Sequence, residues 1–346
     1  MSKPFDLLRE FARFGEGIDT NLNGTAIRSA FGFHVDKAID SALKNPALLQ
    51  GQRAEAMFEA LVISLGEYQL LKTEDGGRVS ASEKMQPPDF RVVLKNGENW
   101  LIEVKNVYLK KAFGQCRFIM KKNYRESLER YAAATGGILK LAIFWARWSI
   151  WTLIDPEKLA PGGGALTLNM ADAMKANELS LLGDEAIGIQ SPLLLRLTMD
   201  PERTSPIASD GTVLVTVGKA QLFSAGFELS DSSDKQIAWA VMRYGDWETG
   251  EPRAIVDGDR LIGIEFDCAP QEKTDQGFEL IGFLSSLFAR YYADHTIQEG
   301  AVIRIMAPTQ PEWLQDLRKE DGDNRMPIWR FIIKPNYEDW KVLIKE

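Results

Sequence analysis

A chain of 346 residues, 45% hydrophobic and 26% charged, has the composition of a folded globular protein and length for about two domains. Its formal net charge of −8 excludes a general nucleic-acid coat, which needs basic side chains over most of its surface. Two cysteines (Cys116, Cys268) and two histidines (His34, His295) exclude a disulfide framework, a cysteine-held zinc and a histidine-rich metal centre. The longest apolar stretch, 138–154, is broken by Lys140 and Arg147 and reads as two strands, so no membrane association is expected. Met1 to Glu10 lacks signal-peptide architecture, and with the cysteine usage this predicts a cytoplasmic protein.

Residues 1–50 read as a helical accessory segment. Phe5, Leu8, Phe11 and Phe14 have partial helical spacing, Gly15 to Gly24 reads as a loop, and Ala26 to Leu43 as a second helix. These helices are candidates to cover the core or to pair with a second copy in a homodimer. A core helix is expected from Gly51 to Gly66, with Met57, Phe58, Leu61, Val62 and Leu65 as its apolar stripe. At about 100° per residue, Glu55 falls on the boundary of that stripe, where a carboxylate can reach the end of a sheet. A strand follows at Tyr68 to Lys72, then a polar loop, 73–86, beside the stretch that carries the chemistry.

That stretch runs from Pro88 to Lys105. Side chains alternate faces along a strand. Phe90, Val92 and Leu94 therefore share one face of a first strand, and Trp100, Ile102 and Val104 one face of a second. A three-residue loop, Asn96-Gly97-Glu98, with Lys95 opposite Asn99, matches these apolar faces and suits Gly97 to a positive φ. In that register Asp89 lies opposite Lys105 and beside Glu103. Two carboxylates at one place suit a hard divalent cation such as Mg²⁺ or Mn²⁺, and a lysine beside them suits a developing negative charge.

Residues 51–160 resemble the PD-(D/E)xK nuclease superfamily, and within it the archaeal-type Holliday junction resolvases. The resemblance rests on Gly51-Gln52-Arg53-Ala54-Glu55, Pro88-Asp89, Leu94-Lys95-Asn96-Gly97, Ile102-Glu103-Val104-Lys105, and a helix leading into Gly136-Gly137 and an apolar strand. It implies a restriction-endonuclease-like α/β fold, a mixed sheet flanked by helices. Asp89 and Glu103 would be metal ligands, Glu55 the helix acid at the metal directly or through water, and Lys105 the catalytic lysine. Where those resolvases often carry Gln in the helix after the lysine strand, this chain has Tyr124, and Gln115 comes too early.

Between Arg91 and Arg147 there are twelve Lys/Arg and four Asp/Glu, a basic island in an acidic chain. Lys110, Lys111, Arg117, Lys121, Lys122 and Arg125 are the candidates to face nucleic-acid phosphates. A helix is expected from Arg117 to Ala134, stopped by Gly136-Gly137, followed by strands at Ile138 to Ala146 and Trp148 to Ile154. Pro161-Gly162-Gly163-Gly164 marks a domain boundary, and 165–346 reads as a strand-rich α+β domain that could serve a protein partner. Within it a helix is expected around Ala171 to Leu182 and strands at Leu193 to Thr198, Thr212 to Val217, Ile237 to Tyr244 and Arg260 to Phe266. Phe278 to Tyr292 reads as a helix, with further strands at Ala301 to Met306 and Trp329 to Lys334. The sum is a metal-dependent nuclease acting on nucleic acid, DNA ahead of RNA and endonuclease ahead of exonuclease. The alternatives are a non-catalytic nucleic-acid-binding protein on the same fold, and a regulatory protein acting through its C-terminal half.

Overall fold

A computed structural model describes residues 4–15, 24–74, 79–108, 117–274, 276–318 and 326–338. The chain opens with α1 (Pro4–Phe14), α2 (Thr25–Leu43) and α3 (Pro46–Leu65). Helix α3 starts five residues before the expected Gly51, because Asn45 caps it by accepting from the Leu48 N–H and Pro46 occupies its first turn. It ends at Gly66, whose φ of +73° is the left-handed C-cap conformation.

Five strands then build the central sheet: β1 (Tyr68–Thr73), β2 (Phe90–Leu94), β3 (Asn99–Val107) and, after β4 (Arg117–Met120) and α4 (Lys122–Ala134), β5 (Ile138–Trp145) and β6 (Ile150–Ile154). Their order is β1-β2-β3-β5-β6. All neighbours are antiparallel except β3 and β5, which run parallel because α4 carries the chain back across the sheet. Trp100, Ile102 and Val104 face α3 and pack on Met57, Phe58 and Leu61. On the other face Leu101, Leu141 and Ile143 pack on Leu128 and Ala132 of α4.

The β2–β3 hairpin differs from the sequence expectation by one step of two residues. Phe90 pairs with Ile102 and Val92 with Trp100, and the loop is Lys95-Asn96-Gly97, closed by the Leu94 N–H on the Glu98 carbonyl at 2.9 Å. A slip of two keeps every side chain on its face, so the apolar match survives. Continued one residue, this register sets Asp89 against Glu103 instead of Lys105. Gly97 has the expected positive φ, +89°.

The expected helix at Arg117 begins only at Lys122. Residues 117–120 alternate exposed and buried, and they pair with β7 (Leu166–Asn169), which follows the short α5 (Pro156–Leu159). The Gly162–Gly164 turn is therefore no boundary between cores. The chain beyond it returns through β7 and α6 (Met170–Lys175), and Leu166, Leu168 and Ala173 join the α4 side of the sheet.

The remaining chain forms β8 (Ala186–Ile189), β9 (Leu193–Met199), β10 (Val217–Ser224), β11 (Phe227–Glu228), α7 (Ser232–Tyr244), β12 (Glu248–Thr249), β13 (Arg253–Asp257), β14 (Arg260–Ala269), β15 (Glu279–Phe283), α8 (Leu284–Thr296), β16 (Ile297–Gln298), β17 (Ala301–Val302), α9 (Glu312–Arg318) and β18 (Ile328–Phe331). Two further sheets have the orders β11-β10-β9-β14-β12, with β13 on β14, and β15-β8-β18. Ile237 to Tyr244 is helix where a strand was expected: Asp231 accepts from the Ser233 and Asp234 N–H groups and starts α7, whose Ile237, Ala238 and Val241 are buried. Residues 279–283 are strand before α8 begins, and the strand expected at Thr212 begins at Val217. Phe288 and Tyr292 of α8 share one apolar core with Phe58 of α3 and Trp151 of β6, so the two halves close on a single interior. Among the described residues no helix is long and apolar enough to cross a membrane.

Candidate active site

Asp89 stands at the entry to β2 behind a buried Pro88, and its Oδ2 accepts the Val104 backbone N–H of β3 at 2.6 Å. That bond fixes the carboxylate across the hairpin. Glu103 sits in the middle of β3 with 2% of its surface exposed, and Lys105 follows on the same face, half-buried. The Lys105 ammonium pairs with Glu103 Oε1.

Tyr124, in the first turn of α4, closes the cluster from above the sheet. Its hydroxyl donates to the same Glu103 oxygen and accepts from Lys105 Nζ at 3.3 Å, and the ammonium lies 5.3 Å from the centre of its ring. Gln86 Nε2 reaches the Tyr124 hydroxyl at 3.4 Å. Sequence reasoning missed these contacts: Tyr124 was visible as the residue at the Gln position, but its place above Glu103 depends on how α4 crosses the sheet.

Glu55 lies on α3, where Gln52 Nε2 donates to it at 3.2 Å. The start of α3 is tied to the end of β3 by Asn106 Nδ2, which donates to the Gln50 carbonyl at 3.2 Å. Glu55 thus joins the cluster as a nearby negative charge.

The titration behaviour follows from this crowding. Burial, then the neighbouring Glu103 charge, push the Asp89 carboxyl up to about 7; Glu55 adds to the rise, and the Val104 N–H and Lys105 oppose it. Burial pulls Lys105 down, but the Glu103 carboxylate outweighs it and holds the ammonium above its ordinary range. Burial and Glu103 push the Tyr124 phenol up to about 12. Near neutrality the site therefore holds a charged lysine, a neutral phenol and an acid that resists ionising.

Among the described residues, no three acidic, histidine or cysteine side chains converge as a ready metal cage. The donor set that does converge is Asp89 and Glu103, hard oxygens of the kind and number that Mg²⁺ takes from protein while keeping water and phosphate in its remaining positions. Burial raises Asp89 first and the Glu103 charge adds to the rise, so a cation between the two carboxylates would be stabilised and the residues fit the group.

The basic candidates divide. Lys121 and Lys122 are exposed at the start of α4 and Arg117 is exposed on β4. Lys110 and Lys111 lie outside the described residues. Arg125 is no nucleic-acid contact: it is fully buried, with Nε on Glu129 and Nη2 on Glu157 at 3.1 Å and the Ala160 carbonyl at 3.0 Å. It fastens α4 to the segment around α5.

No family model matches the chain, and no curated protein matches it. Among solved structures the chain is similar to Hjc of Archaeoglobus fulgidus, a Holliday junction resolvase from an archaeal hyperthermophile. The two are 18% identical over 36% of this chain and 96% of that one, with a TM-score of 0.26.

Proposed function

We propose that the chain is a metal-dependent nuclease with a restriction-endonuclease-like core in the sheet β1-β2-β3-β5-β6. The observation that carries this reading is the meeting of Asp89, Glu103 and Lys105 on one face of the hairpin, with Asp89 pushed up to about 7. Asp89 and Glu103 would hold Mg²⁺ or Mn²⁺. When bound, the ion would polarise the phosphoryl oxygen and lower the pKa of a coordinated water. Lys105, fixed by Glu103 and Tyr124, orients the attacking water or stabilises the charge developing on the phosphate. Tyr124 fixes the Glu103 carboxylate, and Glu55 deepens the negative potential at Asp89. DNA is preferred to RNA, and internal cutting to end-wise cutting, on the likeness of the Gly51–Glu55, Pro88-Asp89 and Glu103-Val104-Lys105 segments to those of resolvases.

The test is cleavage of labelled single-stranded, double-stranded and branched DNA and of RNA, with Mg²⁺, Mn²⁺ or chelator. Cutting that needs the metal and disappears in Asp89→Asn is the expected result. Cutting by a folded Asp89→Asn protein at the parental rate overturns the mechanism. Salt-sensitive binding without cutting would leave a nucleic-acid-binding module.

A further inference from the structure

A second feature adjoins the site and shares only Tyr124 with the steps above. Between the segment 84–86 and the first turn of α4 lies a cleft of about 380 Å³, lined by Lys84, Gln86, Lys121, Lys122, Asn123 and Tyr124, with Ser127 at its base. The cleft is built. Arg130 Nε donates to the Lys84 carbonyl at 2.9 Å, the Gln86 N–H donates to the Ser127 carbonyl at 3.1 Å, and Gln86 Nε2 reaches the Tyr124 hydroxyl. These three bonds hold one wall of the cleft against the other.

Its chemistry is that of an anion site. Three lysines line it and no carboxylate does; the acids around it are paired, Glu126 with Lys122 at 3.6 Å, Glu83 with Arg130 at 4.0 Å and Glu103 with Tyr124 and Lys105. The start of α4 adds to the same sign. Among the described residues no side chain caps it and no acid stands in its first turn; the Tyr124 and Arg125 N–H groups donate to the Lys121 carbonyl at 3.1 Å, which leaves those of Lys122 and Asn123 as the donors at its start. The volume falls in the range of small-ligand pockets, room for a phosphate and the sugar attached to it. Its lining residues are all polar or charged side chains, with Tyr124 the one aromatic among them. Tyr124 belongs both to this cleft and to the Glu103–Lys105 cluster, so a phosphate here lies one side chain away from the reacting centre.

We propose that this cleft is a subsite for a nucleotide phosphate beside the scissile one, held by Lys84, Lys121, Lys122 and the start of α4. The inference deepens the nuclease reading and rests on it for its role in catalysis, but not for its capacity to bind. The subsite makes the enzyme a reader of backbone ahead of sequence, because its three lysines and the start of α4 address phosphate.

The experiment is isothermal titration of the full-length protein with thymidine 3′,5′-bisphosphate, in chelator so that no metal contributes at Asp89. It compares the parent with Lys84→Ala and with the double variant Lys121→Ala/Lys122→Ala. These positions are exposed, so folding is checked by circular dichroism but not expected to change. The expected result is binding to the parent weakened at least tenfold in the double variant. The variant's affinity for single-stranded DNA should also lose about 0.7 from its salt slope for each phosphate contact removed. No binding to the parent, or equal binding by all three proteins, overturns the subsite. If the bisphosphate binds as expected but no nucleic acid is cut, the nuclease reading fails and the subsite stands. If DNA is cut and the variants bind like the parent, the reverse holds.

Discussion

Two clusters of buried charge sit on the central sheet, and their difference separates support from chemistry. At the β5–β6 end, Lys140 donates to Asp155 at 3.0 Å and to Glu178, and Lys158 donates to the other oxygen of Glu178 at 2.9 Å. Two lysines meet two carboxylates, and Lys140 also lies 5.0 Å from the centre of the Trp100 ring. On the β2–β3 hairpin, one lysine meets Glu103 while Asp89 and Glu55 add further carboxylates, and burial first, then the Glu103 charge, push Asp89 up to about 7. A balanced cluster has nothing left to recruit. An unbalanced one, close to solvent, is stabilised by whatever brings positive charge.

Breaking the second cluster should have the largest effect, and on activity. Asp89→Asn, or Lys105→Ala, is expected to lower cleavage about 10³-fold, on the scale of losing a preorganised charge at a reacting phosphate. For Asp89→Asn, circular dichroism should match the parent and the thermal midpoint should not fall, whereas Lys105→Ala leaves the buried Glu103 without its cation and should also lose stability. A loss of activity that accompanies a loss of fold would place Asp89 among the structural residues instead.

Lys140→Ala inverts that pattern. It leaves Asp155 and Glu178 in a buried position without their shared cation, and the chain should lose about 3 kcal/mol of stability in urea unfolding. At a temperature where the variant remains folded, its cleavage rate should match the parent's. Unchanged stability would mean that the carboxylates there are relieved by water or protonation, and the contrast between the clusters would weaken.

How far each cluster could be read in the sequence follows from the range of the contacts that make it. The Asp89–Glu103–Lys105 face was legible because strand alternation survives a slip of two residues, even though the loop was placed one residue late. The start of α7 was not, because Ile237-Ala238-Trp239-Ala240-Val241 is apolar throughout and only the Asp231 cap decides for helix. Arg125 read as a surface charge because two of its three partners, Glu157 and the Ala160 carbonyl, lie more than thirty residues on, and its local pair with Glu129 is what an exposed helix face also shows. The turn at 161–164 read as a domain boundary because the pairing of β7 with β4 leaves no local trace. The two lysines and two carboxylates of the balanced cluster come from β5, the turn after β6, α5 and the residue before the 3₁₀ turn at Leu179–Leu182, and no spacing announces them.

Tyr124 sharpens the comparison with a smaller effect. Its hydroxyl touches both charged members of the active cluster but is not itself required to ionise. Tyr124→Phe keeps the ring over Lys105 and removes only the hydroxyl's bonds to Glu103, Lys105 and Gln86. The expected outcome is a fall of about ten- to a hundredfold in kcat with KM little changed, since a positioning hydrogen bond to a charged group is worth roughly 1.5–3 kcal/mol. A larger rise in KM than fall in kcat would assign the hydroxyl to substrate binding in the neighbouring cleft.

The smallest effect is on stability, and it tests how burial and the Glu103 charge act together on Asp89. A carboxyl whose pKa is raised on folding takes up a proton between its unfolded value, near 3.8, and its folded value, about 7. Its contribution to stability therefore falls as pH rises through that window and stays at its lowest above it. Without divalent metal, Asp89→Asn should then be more stable than the parent at pH 8, by about 1 kcal/mol once partial exposure is allowed for, and no more stable at pH 4. Adding Mg²⁺ at pH 8 should raise the parent's thermal midpoint and leave that of Asp89→Asn where it was, because the ion supplies the charge that the substitution makes unnecessary. The balanced cluster provides the control: Lys140→Ala should keep the Mg²⁺ response of the parent, since the cation it lacks is on the other side of the sheet.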